Sequence, residues 1–294
     1  MFNRRWTYQR DEQVEYADRT TPIALDPTTA TFPGGSGGLQ AQLVATMPDP
    51  FDDNAILETL TRAVSQAKHL IYLIYIEDQY FRAPILYDRI VQRMTEVPDL
   101  IVVVLTNSLS EWIDPGCYQT AIAHQRFRAL FPDRFRIYRL RAFDYVRTDC
   151  TFCWDETEAH FVDFELHSKI VLIDDEYLEI GSCNSNNRGL LYEGELAIAV
   201  HDATWVKAQR KRIFEAALGP GYNGDMPYSQ VLAAFDERAR ENQRAYALWD
   251  DEGMDIDLDG DAVPAEMIPS GPLYPLSFDV PDACLIEGVG GDVT

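Results

Sequence analysis

Lysine is scarce in this 294-residue sequence, and negative charge far outweighs positive charge. There are 25 basic residues against 48 acidic ones, which gives a net charge of −23, and only four of the basic residues are lysines. Nucleic-acid-binding proteins usually carry a basic surface that matches the phosphate backbone, so this balance argues against a nucleic-acid ligand. It indicates a strongly solvated acidic surface. The four lysines are Lys68, Lys169, Lys207 and Lys211.

Long apolar segments and repeated cysteine motifs are also missing. The first residues, MFNRRWTYQRDEQ, contain no apolar stretch of the kind found in signal peptides, and the longest apolar run, residues 70–76, is too short to span a bilayer. We therefore expect neither a signal peptide nor a transmembrane segment, and a cytoplasmic protein by default. Cys150 and Cys153 form one CxxC pair, but no second pair or histidine spacing completes a zinc site. We assign no metal and no disulfide framework.

Strand and helix patterns alternate between residues 39 and 218. This alternation is typical of an α/β sandwich with a largely buried sheet. Residues 1–38 are rich in Thr, Pro, Gly and Ser, and we interpret them as a helix end and a linker. Residues 219–294 are predicted to contain one charged helix and then an irregular acidic tail. The predicted strands are 41–47, 70–76, 100–106, 134–140, 168–173, 177–180 and 195–200; the predicted helices are 54–68, 83–94, 118–130, 202–218 and 228–249; residues 143–163 are predicted to be irregular.

Chemically useful side chains concentrate between His167 and Asn184. Side chains alternate between the two faces of a strand, so His167 and Lys169 point to the same face of an otherwise apolar strand. Polar groups on such a face are costly unless the face lines a pocket. The next strand ends in Gly-Ser-Cys-Asn, where Ser182 and Asn184 offer a hydroxyl and an amide. Imidazole, ammonium, hydroxyl and amide together suit the binding and attack of a phosphodiester.

This constellation matches the HxK(x)4D(x)6GSxN motif of the phospholipase D superfamily, which the chain resembles over about residues 40–218. The segment IYIEDQYF (74–81) is similar to the one that opens the second half of phospholipases D. The segment SNNRGLLYEGE (185–195) resembles the stretch that places an acidic residue, here Glu195, behind the catalytic histidine. The six specified motif positions are occupied by His167, Lys169, Asp174, Gly181, Ser182 and Asn184.

The resemblance implies a fold, a mechanism and roles for individual residues. The fold is a mixed β-sheet flanked by helices. One histidine attacks phosphorus to form a phosphohistidine, and a second protonates the leaving alcohol and then activates water or an acceptor alcohol, with no metal or other cofactor required. Glu195 accepts a hydrogen bond from His167. The implied catalytic residues are His167, Lys169, Asp174, Asn184 and Glu195, and the implied phosphate-binding residues are Lys169, Ser182 and Asn184.

The superfamily builds its site from two such motifs, but this sequence contains one. The other histidines, at positions 69, 124, 160 and 201, have no lysine two positions on. The chain therefore needs a second motif from a preceding domain, a separate chain or a second copy in a homodimer. The opening FNRRW resembles the helix that follows the first motif in phospholipases D, which favours a second half with His167 as the acid/base member. A catalytically silent half that serves as a partner or scaffold is the other alternative.

The resemblance also bears on the substrate. The Glu-Asp-Gln-Tyr-Phe segment at 77–81 looks more like lipid-cleaving members than like small nucleases. We therefore expect a phospholipid substrate, met in transient contact with a membrane surface. A nuclease or a cardiolipin-synthase-like phosphodiesterase that works as a homodimer is the alternative.

An EF-hand spacing occurs in the acidic tail. Pro264 lies inside the would-be loop, and the following MIPSGPLYPL cannot begin a second helix. An acidic chain produces such spacings by chance, so we assign no calcium site. The residues at the EF-hand positions are Asp255, Asp257, Asp259, Gly260 and Glu266.

Overall fold

The central strands of the sheet bury side chains on both faces. The computed structural model describes residues 38–67, 73–107, 117–148, 156–219, 221–227, 230–258 and 261–276. In strand β3 (Leu73–Asp78), Ile74 and Ile76 face one layer of helices, and Leu73 and Tyr75 face the other. A strand covered on both faces has a continuous apolar sequence, and the apolar run at residues 70–76 was the signal that predicted β3.

The described residues form eleven strands and five α-helices. The remaining strands are β1 (Ala41–Met47), β2 (Asp53–Asn54), β4 (Ile101–Leu105), β5 (Phe135–Thr148), β6 (Glu156–Asp163), β7 (Lys169–Ile173), β8 (Tyr177–Gly181), β9 (Glu195–His201), β10 (Asp255–Asp257) and β11 (Leu273–Pro275). The helices are α1 (Ala55–Gln66), α2 (Pro84–Glu96), α3 (Cys117–Leu130), α4 (Ala203–Leu218) and α5 (Val231–Asp251). A π-helical turn spans Arg188–Tyr192, and a 3-10 turn spans Ala265–Met267.

The strands belong to one mixed sheet in the order β10-β6-β5-β4-β3-β7-β8-β9-β1-β2, with β11 added beside β5. Strand β3 pairs in parallel with β4, and β4 in parallel with β5; the other pairs are antiparallel. Strand β7 lies between β3 and β8, so the two predicted motif strands are neighbours at the centre of the sheet. Asp78, the last residue of β3, is paired with Lys169, the first residue of β7.

Helices cover both faces of the sheet. Helices α1, α2 and α3 pack on the face of Ile74 and Ile76, and α4 and α5 pack on the face of Leu73 and Tyr75. Amphipathic spacing explains α1, and the Asp202 side chain caps α4 by accepting a hydrogen bond from Trp205 N at 2.7 Å. No helix among the described residues has both the length and the apolar character that crossing a bilayer requires. The predicted α/β architecture, a mixed sheet between helices, is confirmed.

The structure differs from the predicted elements at several places. The short strand β2 was not predicted, and the tail, expected to be irregular, contains β10, a 3-10 turn and β11. Residues 143–163 were expected to be irregular, but the described part of them belongs to the antiparallel hairpin of β5 and β6. Its outer residues are largely exposed, so the apolar pattern that marks a buried strand is absent. In the segment after residue 218, α5 and β11 pack in one core cluster with β3. The predicted linker 1–38 and the end of the tail, 277–294, fall almost wholly outside the described residues.

The EF-hand spacing does not form an EF-hand loop. Asp255 and Asp257, its first two ligand positions, lie on strand β10, which pairs with β6. Glu266 belongs to the 3-10 turn. Among the residues that the structure describes, no group of three or more His, Cys, Asp and Glu side chains is arranged to hold a metal ion.

Candidate functional site

Lys169 is the first residue of β7 and therefore lies at one end of this central strand. Its neighbours on the same face of β7, Val171 and Ile173, belong to the core under α1, so strand alternation turns Lys169 toward that side. The residue is 8% exposed, and its Nζ donates a hydrogen bond to the carbonyl oxygen of His167 at 2.7 Å. A lysine held in this way is kept close to the backbone of the motif rather than extended into solvent.

Two carboxylates balance the Lys169 ammonium. Burial lowers the pKa of Lys169, while the charges of Asp78 and Glu195 act in the opposite direction. Burial also raises the pKa of Asp78 to about 7, against the opposing effect of hydrogen bonds from Tyr80 and Ser185 and of the Lys169 charge. The result is a cation in a partly desolvated place, where its attraction for an incoming phosphate is stronger than in water.

His167 precedes β7 and is exposed. The residues on either side of it are anchored. The side chain of Asn107 accepts from Leu166 N at 2.6 Å and donates to Leu166 O at 3.3 Å, and Ser168 Oγ donates to Glu77 Oε1 at 2.5 Å. No described residue forms a hydrogen bond with the imidazole itself. His167 is therefore held by its backbone and presents a side chain that is accessible to substrate.

The Gly-Ser-Cys-Asn turn brings β8 close to β9. A Cβ at Gly181 would lie 2.5 Å from the Cβ of Ala197, so only glycine fits. Beyond the turn, Asn184 lines a small cavity together with Lys169, and its Oδ1 is buried without a hydrogen-bond partner among the described residues. Lys169 and Asn184, both predicted phosphate-binding residues, are thus brought together.

Glu195 and Ser182 are partners of each other. The Ser182 hydroxyl donates to Glu195 Oε2, and it accepts from Leu196 N at 3.1 Å. Glu195 was expected to accept a hydrogen bond from His167, and this bond is not formed. The physical reason is position: Ser182 lies opposite Leu196, to which it is hydrogen-bonded, so Glu195, the residue before Leu196, is within reach of Ser182, while the Glu195 charge acts on Lys169. Ser182 is exposed, so its hydroxyl remains accessible from solvent.

Asp174 lies at the other end of β7. Four residues lie between Lys169 and Asp174, and five steps of extended chain place their Cα atoms about 16 Å apart. Its Oδ1 accepts from Leu73 N at 2.9 Å, and its own N donates to Leu73 O at 3.0 Å. Asp174 and Asp175 have φ values of 55° and 54° and form the tight β7–β8 turn. The structure therefore does not bring Asp174, expected to be catalytic, to the site; it ties the hairpin to β3.

Sequence reasoning missed two buried carboxylates near Lys169. Asp78 and Glu179 line the same cavity of about 10 Å³, which is the size of one water molecule. Burial raises the pKa of Glu179 to about 7, and its carboxylate accepts a hydrogen bond from Tyr177 OH. A carboxylate at an inward-facing position of an otherwise apolar strand was the available signal in both cases. Which strands are neighbours, and hence which charges meet, cannot be read from that signal.

Comparisons with known proteins give only distant similarities. No protein-family model matches the sequence, and no curated protein matches it. Similar solved structures include NucT from Helicobacter pylori (12% identity, TM-score 0.41, 67% of this chain and 98% of that one) and a phospholipase D family member, Nuc from Salmonella typhimurium (14%, 0.37, 60% and 93%). Phosphatidylserine synthase from Haemophilus influenzae Rd KW20 is another (13%, 0.40, 60% and 38%). Members of the superfamily indicated by the motif are thus among the similar structures, but at these TM-scores the activity must be argued from the site.

Proposed function

We propose that the chain supplies one half of a phospholipase-D-type phosphodiesterase site. The observation that carries the proposal is the arrangement of Lys169, His167 and Asn184. A partly desolvated ammonium lies beside an amide, and an accessible imidazole is held two residues away by anchored backbone. Ammonium and amide groups at one place suit the non-bridging oxygens of a phosphodiester, and imidazole is a suitable nucleophile or acid/base.

The chemistry needs two imidazoles. The first attacks phosphorus and forms an N–P bond as the P–O bond to the leaving alcohol breaks, and the second donates a proton to that alcohol. The second imidazole then removes a proton from water, whose oxygen attacks phosphorus and breaks the N–P bond. In a two-half enzyme, His167 would be the acid/base member; in a homodimer, the two copies of His167 would divide the roles.

A second motif is therefore part of the proposal. The sequence has one His-x-Lys, so the partner half comes from another domain, another chain or a second copy of this chain. For the substrate we propose a phospholipid, reached by transient contact with a membrane surface. The net charge of −23 supports this choice over nucleic acid, because it opposes the approach of a polyanion.

Hydrolysis of bis(p-nitrophenyl) phosphate tests the chemistry without a choice of natural substrate. We expect His167→Ala and Lys169→Ala each to lower kcat/KM by about 10³-fold or more. His201→Ala and Lys207→Ala are matched controls, because both residues are exposed. His201 ends β9 and Lys207 lies in α4, so neither belongs to the strand that carries Lys169. We expect EDTA to leave the rate unchanged. Activity that survives His167→Ala in the purified protein would refute the assignment.

The substrate class is tested in parallel. Release of the headgroup from phosphatidylcholine vesicles, abolished by His167→Ala, supports the phospholipid. Cleavage of single-stranded DNA at a higher kcat/KM than the vesicles, with the same dependence on His167, would replace it by a nuclease. Folded, monomeric chain with no turnover of any diester would exclude a self-sufficient enzyme and leave a half that needs another partner or a silent half.

Mixing distinguishes a homodimer from a half that needs another partner. If both copies of His167 act in one site, unfolding and refolding wild type with excess His167→Ala places most wild-type subunits in dead heterodimers. Activity then falls with the square of the wild-type fraction. A linear fall, with a monomer by light scattering, would exclude the homodimer.

A further inference from the structure

Asp78 is buried where the site meets the centre of the sheet. It ends β3, is 2% exposed, and is directly paired with Lys169 across the β3–β7 ladder. A carboxylate in such a place is costly unless its oxygens are hydrogen-bonded and its charge is balanced. Both conditions are met at Asp78, which indicates that its buried carboxylate has a role in the site.

Three hydrogen bonds reach the Asp78 carboxylate. Oδ1 accepts from Tyr80 N at 2.8 Å, and Oδ2 accepts from Ser185 N at 2.8 Å and from Ser185 Oγ at 3.0 Å. Ser185 O in turn accepts from Arg82 N at 3.1 Å, and Ser185 forms a parallel bridge with Phe81. The N–H, carbonyl and hydroxyl of Ser185 are therefore all fixed to the segment that begins at Asp78. Ser185 directly follows Asn184, so Asp78 determines where Asn184 lies.

Asp78 also faces the Lys169 ammonium. Each charge favours the ionised form of the other. The other titratable groups around them are Glu195 and Cys183, whose charges also act on Lys169, and Glu179 on the wall of the shared cavity. One carboxylate thus acts on both members of the phosphate-binding pair: on Asn184 through its hydrogen bonds to Ser185, and on Lys169 through its charge.

We propose that Asp78 is a positioning residue of the site, which fixes Asn184 through Ser185 and places its carboxylate opposite Lys169 across the β3–β7 pair before the phosphate arrives. This inference rests on the proposed function for its meaning in catalysis. Its structural content, the coupling of Asp78 to Lys169 and to Ser185, can be measured whether or not a diester is hydrolysed.

The scarcity of lysine makes the coupling measurable. With four lysines in the sequence, protein labelled with [13Cε]lysine gives four NMR signals, and Lys169→Arg identifies the one that matters. In wild type we expect the Lys169 signal to titrate below the ordinary lysine pKa and to show an additional inflection near pH 7, caused by ionisation of Asp78. In Asp78→Asn we expect the inflection to disappear and the Lys169 titration to move to lower pH. An unchanged Lys169 titration in Asp78→Asn overturns the proposal.

Kinetics provide the second readout. Asp78→Asn keeps an acceptor for Tyr80 N but places an amide where two donors of Ser185 arrive, and we expect kcat/KM for bis(p-nitrophenyl) phosphate to fall about 10²-fold. Asp99→Asn, at an exposed turn, is the matched control and should retain the wild-type rate. Wild-type kcat/KM in a folded Asp78→Asn protein overturns the positioning role. If wild type alone lacks diester activity, the homodimeric form of the proposed function fails, and the NMR titration alone decides this inference.

Ser185→Ala keeps the test decisive if Asp78→Asn does not fold. It removes one of the three hydrogen bonds to Asp78 and leaves the backbone bond in place. We expect kcat/KM to fall about 10-fold, the equivalent of one hydrogen bond, and the inflection of the Lys169 signal to move to higher pH because the Asp78 anion has lost a donor. An inflection that stays at the wild-type pH, or is absent in wild type, overturns the proposal.

Discussion

Substitution of Asp175 by Asn removes one charge from a buried ion pair and leaves the backbone unchanged. Asp175 lies in the β7–β8 turn with a φ of 54°, a left-handed conformation that Asn tolerates as readily as Asp. Its Oδ1 accepts from Arg210 Nε at 2.7 Å, and its Oδ2 accepts from Arg210 Nη2 at 3.3 Å. The two side chains are 6% and 1% exposed. After the substitution, the guanidinium remains buried against an uncharged amide.

The expected cost follows from that burial. Removing one member of a buried pair typically costs about 3–5 kcal/mol, because the remaining charge stays desolvated. Arg210 also donates to Tyr222 OH at 3.0 Å and to Gly224 O at 3.4 Å. These neutral acceptors offset part of the loss, so we expect a value at the lower end, about 3 kcal/mol.

Urea unfolding followed by circular dichroism measures this loss. With a slope of about 3 kcal/mol/M, the midpoint should fall by about 1 M. The double variant Asp175→Asn/Arg210→Met should be more stable than the sum of the single losses predicts, because no buried charge is left unpaired. Arg212→Met, on the exposed side of α4, is the control and should change the midpoint little. A midpoint for Asp175→Asn within about 0.2 M of wild type would refute the account of this pair.

Three further outcomes follow from buried contacts. Glu179→Gln should be more stable than wild type at pH 8 but not at pH 4. Burial raises the Glu179 pKa from 4.5 to about 7, so the folded protein binds this proton more tightly than the unfolded chain does. Wild type therefore loses up to about 3 kcal/mol of stability as pH rises through that window, which the pH dependence of Tm measures. Gly181→Ala should lower Tm strongly, because its Cβ would lie 2.5 Å from that of Ala197; an unchanged Tm would show that β8 and β9 can separate there. Asp174→Gly should cost about 1–2 kcal/mol in urea unfolding, the bond to Leu73 N, while kcat for bis(p-nitrophenyl) phosphate stays at the wild-type value; a loss of kcat would return Asp174 to the catalytic residues.

Continuous apolar runs predicted the central strands β3, β4 and β7 because these strands are buried on both faces. The runs around Ile74 and Val103 are continuous and β-prone, and α1 follows from apolar spacing along one face. The hairpin of β5 and β6 was missed because its outer part lies on the surface and alternates weakly. Its inner contacts come from Trp249 on α5, which is about 100 residues away in the sequence.

The candidate site, like the fold, could be predicted from the sequence only in part. His167, Lys169, Ser182 and Asn184 could be found because they occur within one motif, at a spacing that a hairpin converts into proximity. Asp78 lies about 90 residues earlier in the sequence and meets Lys169 only because β7 pairs with β3. Strand order is set by packing of the whole domain, and no local pattern encodes it. The partner of Glu195 was misjudged for a related reason, because the hydrogen bonds between Ser182 and Leu196 bring the Ser182 hydroxyl to Glu195.

Two of the contacts that hold the β7–β8 hairpin lie at its turn, far from the end that carries the reactive groups. Asp174 is bonded to Leu73, and Asp175 to Arg210, whatever stands at the beginning of β7. A chain with alanine at position 167, where the native side chain is exposed, should therefore keep its shape and its surface while losing the ability to turn over a diester. Such a chain can be used in co-purification experiments. It would stay bound to the lipid surface or second subunit that the native protein contacts, for long enough to be isolated with it.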